Sequence, residues 1–365
     1  MVSSYTLKNK NILCSLTYGN NFKKLKNHGI LNRELEIYEE FTNYFKNVYL
    51  LNYGEDEISD SNYNFKIINI KQKNNIFLNF IFNCFFVLKL KVKKKLKIHY
   101  VRTNQTFGSL YFIFLKIIFK SKLIARMGHE SFYFVSVFGK SKTKKLLFYL
   151  NNKLIYFFAD YIFVPNDEIK KYINEKFKAS LDKINIVENY ISKNFFKINL
   201  NNINKSNKFL YIGRINYQKL DKEFLKIVKK MNIQIDLYGN IEDKNVIEEN
   251  EFLKYKGIII NENIPKIIKN YKYYILMSKI DQNPKSILEA MKCGLIIISL
   301  RFFGSNFLIH KCNSLILTID NFDEIKSLLF NEDKNLEKKI IENSLKYTKY
   351  LSSQNIANKE IKIIG

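Results

Sequence analysis

Short apolar runs alternate along most of the chain with segments whose apolar residues return every three or four positions, a pattern that predicts parallel sheets covered by helices. In the first half the runs predict strands at 11–17, 48–51, 65–70, 98–101, 123–125, 161–165 and 184–187. A helix is expected from Leu31, because Leu31, Leu35, Tyr38, Phe41 and Phe45 fall at helical spacing. Others are expected near 75–88, 108–119 and 141–158, and from Asp167. A polar loop at 54–64 separates two of the strands. In the second half, strands are expected at 209–213, 274–277 and 296–299. A helix is expected at 285–293. Residues 199–207, polar and rich in Asn and Lys, read as a linker.

A length of 365 residues suits two domains of ordinary size. Hydrophobic residues make up 47% and aromatic residues 15%, which excludes a disordered chain. The 60 Lys and Arg exceed the 34 Asp and Glu, giving a formal charge of +26 and predicting attraction to nucleic acid, anionic lipid or phosphorylated substrates. Cys14, Cys84, Cys293 and Cys312 are scattered without metal-binding spacing and read as reduced thiols of a cytosolic protein. The polar amino terminus shows no signal peptide, and the apolar stretch at 74–88, broken by Asn79 and Asn83, is shorter than the ~20 residues that span a bilayer.

The stretch with the clearest chemistry is Asp281-Gln-Asn-Pro-Lys-Ser-Ile-Leu-Glu289-Ala-Met-Lys-Cys-Gly294. Pro284 suits the entry to a helix and Gly294 its exit, with the apolar run 274–277 before it and 296–299 after it. A helix that opens at the carboxyl edge of a parallel sheet points free N–H groups at a ligand and attracts anions. Asp281 lies before that helix and Glu289 one turn inside it, so both face a ligand lying across the helix start. An earlier element, Gly213-Arg214-Ile-Asn-Tyr-Gln-Lys219, places two cations after a strand that ends in a glycine turn.

These residues resemble the signature of retaining glycosyltransferases with two Rossmann-like domains, the GT-B fold, and in particular family four. Its usual Glu-Gly-x-Pro-x-x-x-x-Glu-Ala-x-x-x-Gly is matched at Pro284, Glu289, Ala290 and Gly294. Asp281 stands where the family has Glu, and Gln282 where it has Gly. The resemblance implies strands at 235–239 and 255–260, a small helix at 264–271 and closing helices from Leu336. It implies further that Arg214 and Lys219 hold the donor diphosphate, with Gly239 beside it, and that 261–264, including Ile264, lies near the base. It also implies that Asn283, Pro284, Lys285 and Ser286 present the helix start, that Glu289 accepts from the ribose hydroxyls and that Asp281 accepts from a donor-sugar hydroxyl. Preorganised cations stabilise the charge that grows on a departing diphosphate.

The segment Gly29-Ile-Leu-Asn-Arg33-Glu34, with Thr103-Asn-Gln105 and Arg126-Met-Gly128, resembles the acceptor domain of bacterial members of this family. The loop from Gly19 to Gly29 is then expected to shape the acceptor side, with Arg126, Gly128 and His129, and His129 to point at the reacting sugar. Asn189-Tyr-Ile-Ser192 echoes the family's Asn-x-hydrophobic-Asp hinge without its Asp. The expected organisation is an α/β chain with an acceptor domain at 1–195, a linker at 196–207, a nucleotide-sugar domain at 208–345 and a closing helix at 346–365 that returns to the first domain across a cleft.

The reading is a glycosyltransferase that moves a sugar from a nucleotide sugar, a co-substrate, to a saccharide or lipid-linked saccharide with retention, in capsule, lipopolysaccharide or other surface-glycan synthesis. No cofactor is expected. No metal is expected either, since an Asp-x-Asp motif serving the site is absent from the sequence. The aromatic stretch at 75–88, next to the lysines of 89–97 and of 140–145, predicts an anionic membrane surface as a further partner, at the cytoplasmic face. A nucleotide-sugar epimerase of the same fold stays open, as does a basic nucleic-acid-binding protein. Against the latter, basic residues spread through both halves without an RNA- or DNA-binding motif, so nucleic acid is not an expected partner.

Overall fold

A computed structural model describes residues 7–54, 63–72, 76–92, 95–198, 206–318, 320–331 and 333–365. Most of the expected polar loop at 54–64 and of the linker at 199–207 lies outside the described residues. The chain forms two compact units. The first contains Met1–Asn27, Leu31–Glu188 and Ser353–Gly365; the second contains His28–Ile30 and Asn189–Ser352. The chain therefore passes between units at Asn27/His28, Ile30/Leu31, Glu188/Asn189 and Ser352/Ser353, whereas the sequence pattern places boundaries at 195 and 345. Asn189–Ser192 belongs to the second unit, in which the Ile191 N–H donates to the Leu351 carbonyl at 2.7 Å.

The first unit is built on strands β1 (Asn11–Ser15), β2 (Asn47–Asn52), β3 (Lys66–Asn69), β4 (Tyr100–Arg102), β5 (Lys122–Arg126), β6 (Tyr161–Val164) and β7 (Ile184–Ile186). Every pairing is parallel, in the order β3-β2-β1-β4-β5-β6-β7. Leu13, Leu50, Val101, Leu123 and Ile162 are buried, as in a sheet covered on both faces. Sequence order reverses between β1 and β4, so the loops after their carboxyl ends flank a switch point, where open α/β sheets bind ligands. Helix Ser353–Ile364 packs on helix Leu31–Thr42 within this unit.

The second unit carries β8 (Ser206–Ile212), β9 (Ile235–Tyr238), β10 (Leu253–Tyr255), β11 (Tyr271–Leu276), β12 (Ile296–Ser299) and β13 (Leu315–Ile316). They too are parallel, in the order β10-β9-β8-β11-β12-β13. Leu237, Ile275, Met277, Phe224 and Val228 lie in its core.

Three expectations change. The run 255–260 is not one strand: β10 ends at Tyr255, Gly257 takes φ +100°, and Ile258 and Ile260 are exposed. The positive φ that glycine adopts readily turns the chain out of the sheet before the isoleucines can pair. The helix expected near 75–88 continues to Val92, so Lys89 and Lys91 stand on it. Helices Phe22–Asn27, Ser131–Phe138 and Lys222–Met231 were not anticipated. The last has an Asp221 cap that accepts from the N–H groups of Glu223 and Phe224, and an Asn232 end in the left-handed region.

Candidate functional site

In the second unit, the turns that leave β8 and β9 approach as closely as two backbones can. The Gly213 N–H donates to the Tyr238 carbonyl and the Gly239 N–H to that of Gly257, each at 3.0 Å. Gly239 has φ +146°, and a Cβ there would lie 1.8 Å from the Gly213 carbonyl oxygen. The Tyr211 hydroxyl donates to the Arg214 carbonyl at 2.8 Å and fixes the turn that starts the cationic element.

Arg214 is 53% exposed, and its guanidinium lies 3.4 Å from Glu242. Such an exposed pair is weak, so a phosphate can replace it. Asn216 shapes the rest of the loop: its Oδ1 accepts from the N–H groups of Gln218 and Lys219, and its amide donates to Glu242 at 2.5 Å. The loop is then fastened to the end of β11. The Asp221 N–H donates to the Met277 carbonyl at 3.0 Å, and the Ser278 hydroxyl donates to that of Gln218 at 3.3 Å. These bonds bring the Lys219 ammonium onto Asp281 Oδ1. Asp281 Oδ2 is buried without a hydrogen-bond partner.

Helix Lys285–Lys292 begins with Pro284 as its cap, at extended ψ and without a side-chain bond to the first turn. Its first N–H groups have no carbonyl within the helix to bond, which makes the end attractive to an anion. Asn283 immediately precedes it and is 4% exposed. Neither its side-chain oxygen nor its nitrogen has a hydrogen-bond partner, while its carbonyl accepts from the Asn189 amide at 2.8 Å. Burying an amide unpaired costs about 1–3 kcal/mol, so such a group points to a ligand. Lys285 lies over the Tyr190 ring at 4.2 Å, and Ser286 follows it in the first turn of the helix, while the Tyr274 hydroxyl donates to the Ile212 carbonyl at 3.0 Å. Gln282, where the resembled family has Gly, is buried.

Glu289, also buried, accepts from the Asn261 amide at 3.2 Å. The Asn261 N–H donates to the Gly29 carbonyl at 2.8 Å. Gly29 has φ +66°, and a Cβ on it would lie 3.0 Å from Ile260 Cα. Ile264 is buried at the start of helix Ile264–Ile268, next to this group. The structure thus brings Lys219 and Asp281 together, with Arg214 at the start of the same loop paired to Glu242, and Glu289, Asn261 and Gly29 together around another turn. Asn261's bond to Glu289 and Gly29's place beside it carried no signal in the sequence, because the partners are far apart along the chain.

In the first unit, Thr103 and Arg126 are interlocked across β4 and β5. The Thr103 hydroxyl donates to the Arg126 carbonyl at 2.9 Å, and the Arg126 N–H donates back at 3.0 Å. The Arg126 guanidinium donates to the Glu188 carbonyl at 3.4 Å. His129 is exposed on the following turn. With its amide turned to suit its neighbours, Gln105 accepts from His129 Nδ1 at 3.2 Å and from the Gly128 N–H at 3.3 Å. Gly19 is exposed at φ +80° with open space around it, and helix Phe22–Asn27 occupies much of the loop between it and Gly29.

Glu130, which sequence reasoning passed over, anchors the His129 turn. Its carboxylate caps helix Ser131–Phe138 by accepting from the Tyr133 N–H, and accepts also from the Tyr156 hydroxyl at 3.1 Å and from the Asn152 amide. Burial pushes its pKa up despite those bonds. An acidic cap before an aromatic helix is a signal that was available in the sequence.

No family model matches the chain. An uncharacterised glycosyltransferase of Methanocaldococcus jannaschii is 28% identical over 166 residues, covering 40% of this chain and 41% of that protein, so the chain spans about two fifths of the curated relative it matches. The Anabaena protein HepE, solved with UDP-glucose, superposes with a TM-score of 0.71 at 12% identity, over 96% of this chain and 98% of the other. The apo lipopolysaccharide outer core galactosyltransferase WaaB superposes with a TM-score of 0.66 at 15% identity, over 97% and 99%. The chain has the GT-B fold. In GT-B terms its two Rossmann-like units are the parallel sheets described above, and the turns built on Gly213, Gly239 and Pro284 lie at strand carboxyl ends of the second.

Proposed function

We propose that the chain is a retaining glycosyltransferase of the family-four type that transfers a sugar from a nucleotide sugar to a saccharide or lipid-linked saccharide in surface-glycan synthesis, at the cytoplasmic face of a membrane. The observation that carries this is the meeting of Lys219 with Asp281 beside the buried, unpartnered Asn283 amide at the start of helix Lys285–Lys292. A ligand with a doubly anionic centre and hydroxyl-bearing ends satisfies all of these groups at once. The UDP-glucose in the HepE structure makes a uridine diphosphate sugar the first donor to test. The lipopolysaccharide substrate named for WaaB supports a surface-glycan acceptor.

In this reading Arg214, Lys219 and the helix N–H groups hold the diphosphate, with Gly239 beside it. Pro284, Lys285 and Ser286 set the helix start, Ile264 and Asn261 border the base, Glu289 accepts from the ribose and Asp281 from the donor sugar. The bond from the anomeric carbon to the diphosphate oxygen breaks, and a bond to the acceptor oxygen forms on the same face. The acceptor proton passes to the departing phosphate, so neither a metal nor a dedicated protein base is required. Gly19, Arg126, Gly128 and His129 serve the acceptor.

The test is release of nucleoside diphosphate on addition of a donor panel, with the anomeric configuration of the product read by NMR. A donor at 100 times its dissociation constant should stabilise the fold by about 2.7 kcal/mol. Turnover should fall at least about tenfold in the Arg214→Ala, Lys219→Ala double variant, since each charged contact contributes about 1.5–3 kcal/mol. Unchanged turnover would remove the donor-site assignment. A product epimerised without any acceptor would identify an epimerase instead.

A further inference from the structure

Within the first unit, helix Ile76–Val92 packs on helix Tyr111–Phe119, where Phe80 and Phe114 meet edge to face, and helix Ser131–Phe138 packs on helix Lys142–Phe158. The two pairs are tied together: the Lys116 ammonium donates to the Phe158 carbonyl at 2.7 Å, and the Phe107 ring stacks on that of Phe148. The outer surface of this layer presents several large apolar side chains to solvent, the kind of face that marks an interaction site. Phe85 is 67% exposed, Ile117 60%, Leu147 59% and Phe157 72%. Exposed Lys89, Lys91, Lys120, Lys142 and Lys144 stand on or at the ends of the same helices.

The charge distribution identifies what covers the face. Between Asp60 and Asp160 the sequence holds one acidic residue, Glu130, and that one is buried. Lysines around bare apolar side chains, with no exposed carboxylate among them, complement a surface that offers negative headgroups above hydrocarbon. Among the described residues no helix is long and apolar enough to cross a membrane. Exposed apolar side chains ringed by lysines let a folded domain rest on the membrane interface instead, with the apolar tips in the hydrocarbon and the ammonium groups at the headgroups.

We infer that the outer face of these four helices inserts into an anionic phospholipid bilayer, with Phe85, Ile117, Leu147 and Phe157 in the acyl region and the lysines at the headgroups. The inference deepens the proposed function and rests on it for one consequence. The Asn79 amide of the first helix donates to the Tyr18 hydroxyl at 2.9 Å, next to the acceptor-side Gly19. Insertion therefore holds the acceptor loop near the lipid surface, which favours a lipid-linked acceptor over a free saccharide.

The chain contains no tryptophan, so a single introduced one reports its surroundings without background. In Phe85→Trp and in Phe157→Trp, emission should shift to the blue on adding phosphatidylcholine vesicles that contain phosphatidylglycerol, and brominated acyl chains should quench it. Each lysine near an anionic surface strengthens binding about fivefold, so sedimentation with these vesicles should weaken with salt and on omitting phosphatidylglycerol. A quadruple variant with Ser at 85, 117, 147 and 157 should lose at least about tenfold in vesicle binding while keeping its unfolding midpoint, since these side chains lie outside the core.

Sedimentation with the tryptophans still in water would reduce the contact to electrostatic adsorption and overturn the inference. So would absent sedimentation, or a stable dimer in solution that covers these side chains. Donor stabilisation and nucleoside diphosphate release, measured without vesicles, test the proposed function separately. Insertion without turnover would leave the face and remove the activity, and turnover without insertion would do the reverse.

Discussion

The Lys219 ammonium and the Asp281 carboxylate form a hydrogen-bonded ion pair across 62 residues of sequence. The pair is mostly shielded from solvent, with side chains 21% and 12% exposed. Lys219→Met leaves Asp281 without its cation and should lower stability by about 1.5–3 kcal/mol, as should Asp281→Asn. Because each change removes the same interaction, the double variant should lose less than the sum, with a coupling of about 0.5–3 kcal/mol in urea unfolding. Strict additivity would show that the pair contributes nothing. A charged ligand must also compete with this bond, so donor binding to Lys219 is coupled to freeing Asp281 for a sugar hydroxyl.

Asn283 separates a role in folding from a role in binding. Its buried amide lacks partners, so Asn283→Ala removes a desolvation cost of about 1–3 kcal/mol while creating a small void of opposite effect. The expected outcome is a stability within about 1 kcal/mol of wild type and nucleotide-sugar affinity at least about tenfold weaker, by thermal denaturation and calorimetry. A clear loss of stability with unchanged affinity would make Asn283 a structural residue.

Arg102 on β4 and Glu360 on helix Ser353–Ile364 form a bidentate pair with both bonds at 2.7 Å, each side chain 2% exposed. Phe41 lies against the guanidinium at 5.2 Å. Glu360→Ala leaves a buried guanidinium uncompensated and should cost about 3–5 kcal/mol, whereas Arg102→Met with Glu360→Leu should cost much less. Chemical denaturation of the three proteins decides it, and equal losses in both variants would mean that packing rather than charge holds the helix.

Local pattern made part of this architecture readable. Leu31, Leu35, Tyr38 and Phe41 announce their helix by spacing, and Pro284 and Glu289 announce theirs by a cap position and a known motif. Helix Ser131–Phe138 escaped because its residues are nearly all apolar or aromatic, so no polar face reveals the period. At 258–260 three isoleucines favour a strand, but the backbone freedom of Gly257 decides the outcome, and composition does not report φ. Arg102 with Glu360 and Asn261 with Glu289 are pairings made by tertiary structure, and nothing near either residue in sequence names its partner.

Glu130 gives the first unit a pH dependence of definite sign. Burial raises its pKa above the ordinary carboxylate value, so between those two values the folded chain binds more protons than the unfolded one. Stability from this group is present below the ordinary value, falls as pH rises through the raised one and then levels off. Glu130→Gln should remove that slope while keeping the acceptor for the Tyr133 N–H. The check is the difference between wild-type and variant stability curves across the acid range. A difference that instead grows in favour of wild type as pH rises would mean that the hydrogen bonds outweigh burial.

The two turns of the donor side depend on Gly239 having no side chain. At φ +146°, a Cβ would sit 1.8 Å from the Gly213 carbonyl oxygen, so Gly239→Ala must move one of two backbones that are each bonded to a neighbouring strand end. Backbone strain of about 1–2 kcal/mol and overpacking of about 1–3 kcal/mol together predict a loss of about 2–5 kcal/mol. Gly19→Ala is the control. Gly19 also has positive φ, +80°, but nothing lies within 4 Å of its Cβ position, so strain alone applies and the loss should be about 1–2 kcal/mol. Donor affinity should fall in the Gly239 variant and stay unchanged in the Gly19 variant, because only the first displaces the turn that carries Arg214. If urea unfolding gave both variants the same loss, the close approach of the two turns would not be a constraint on this fold.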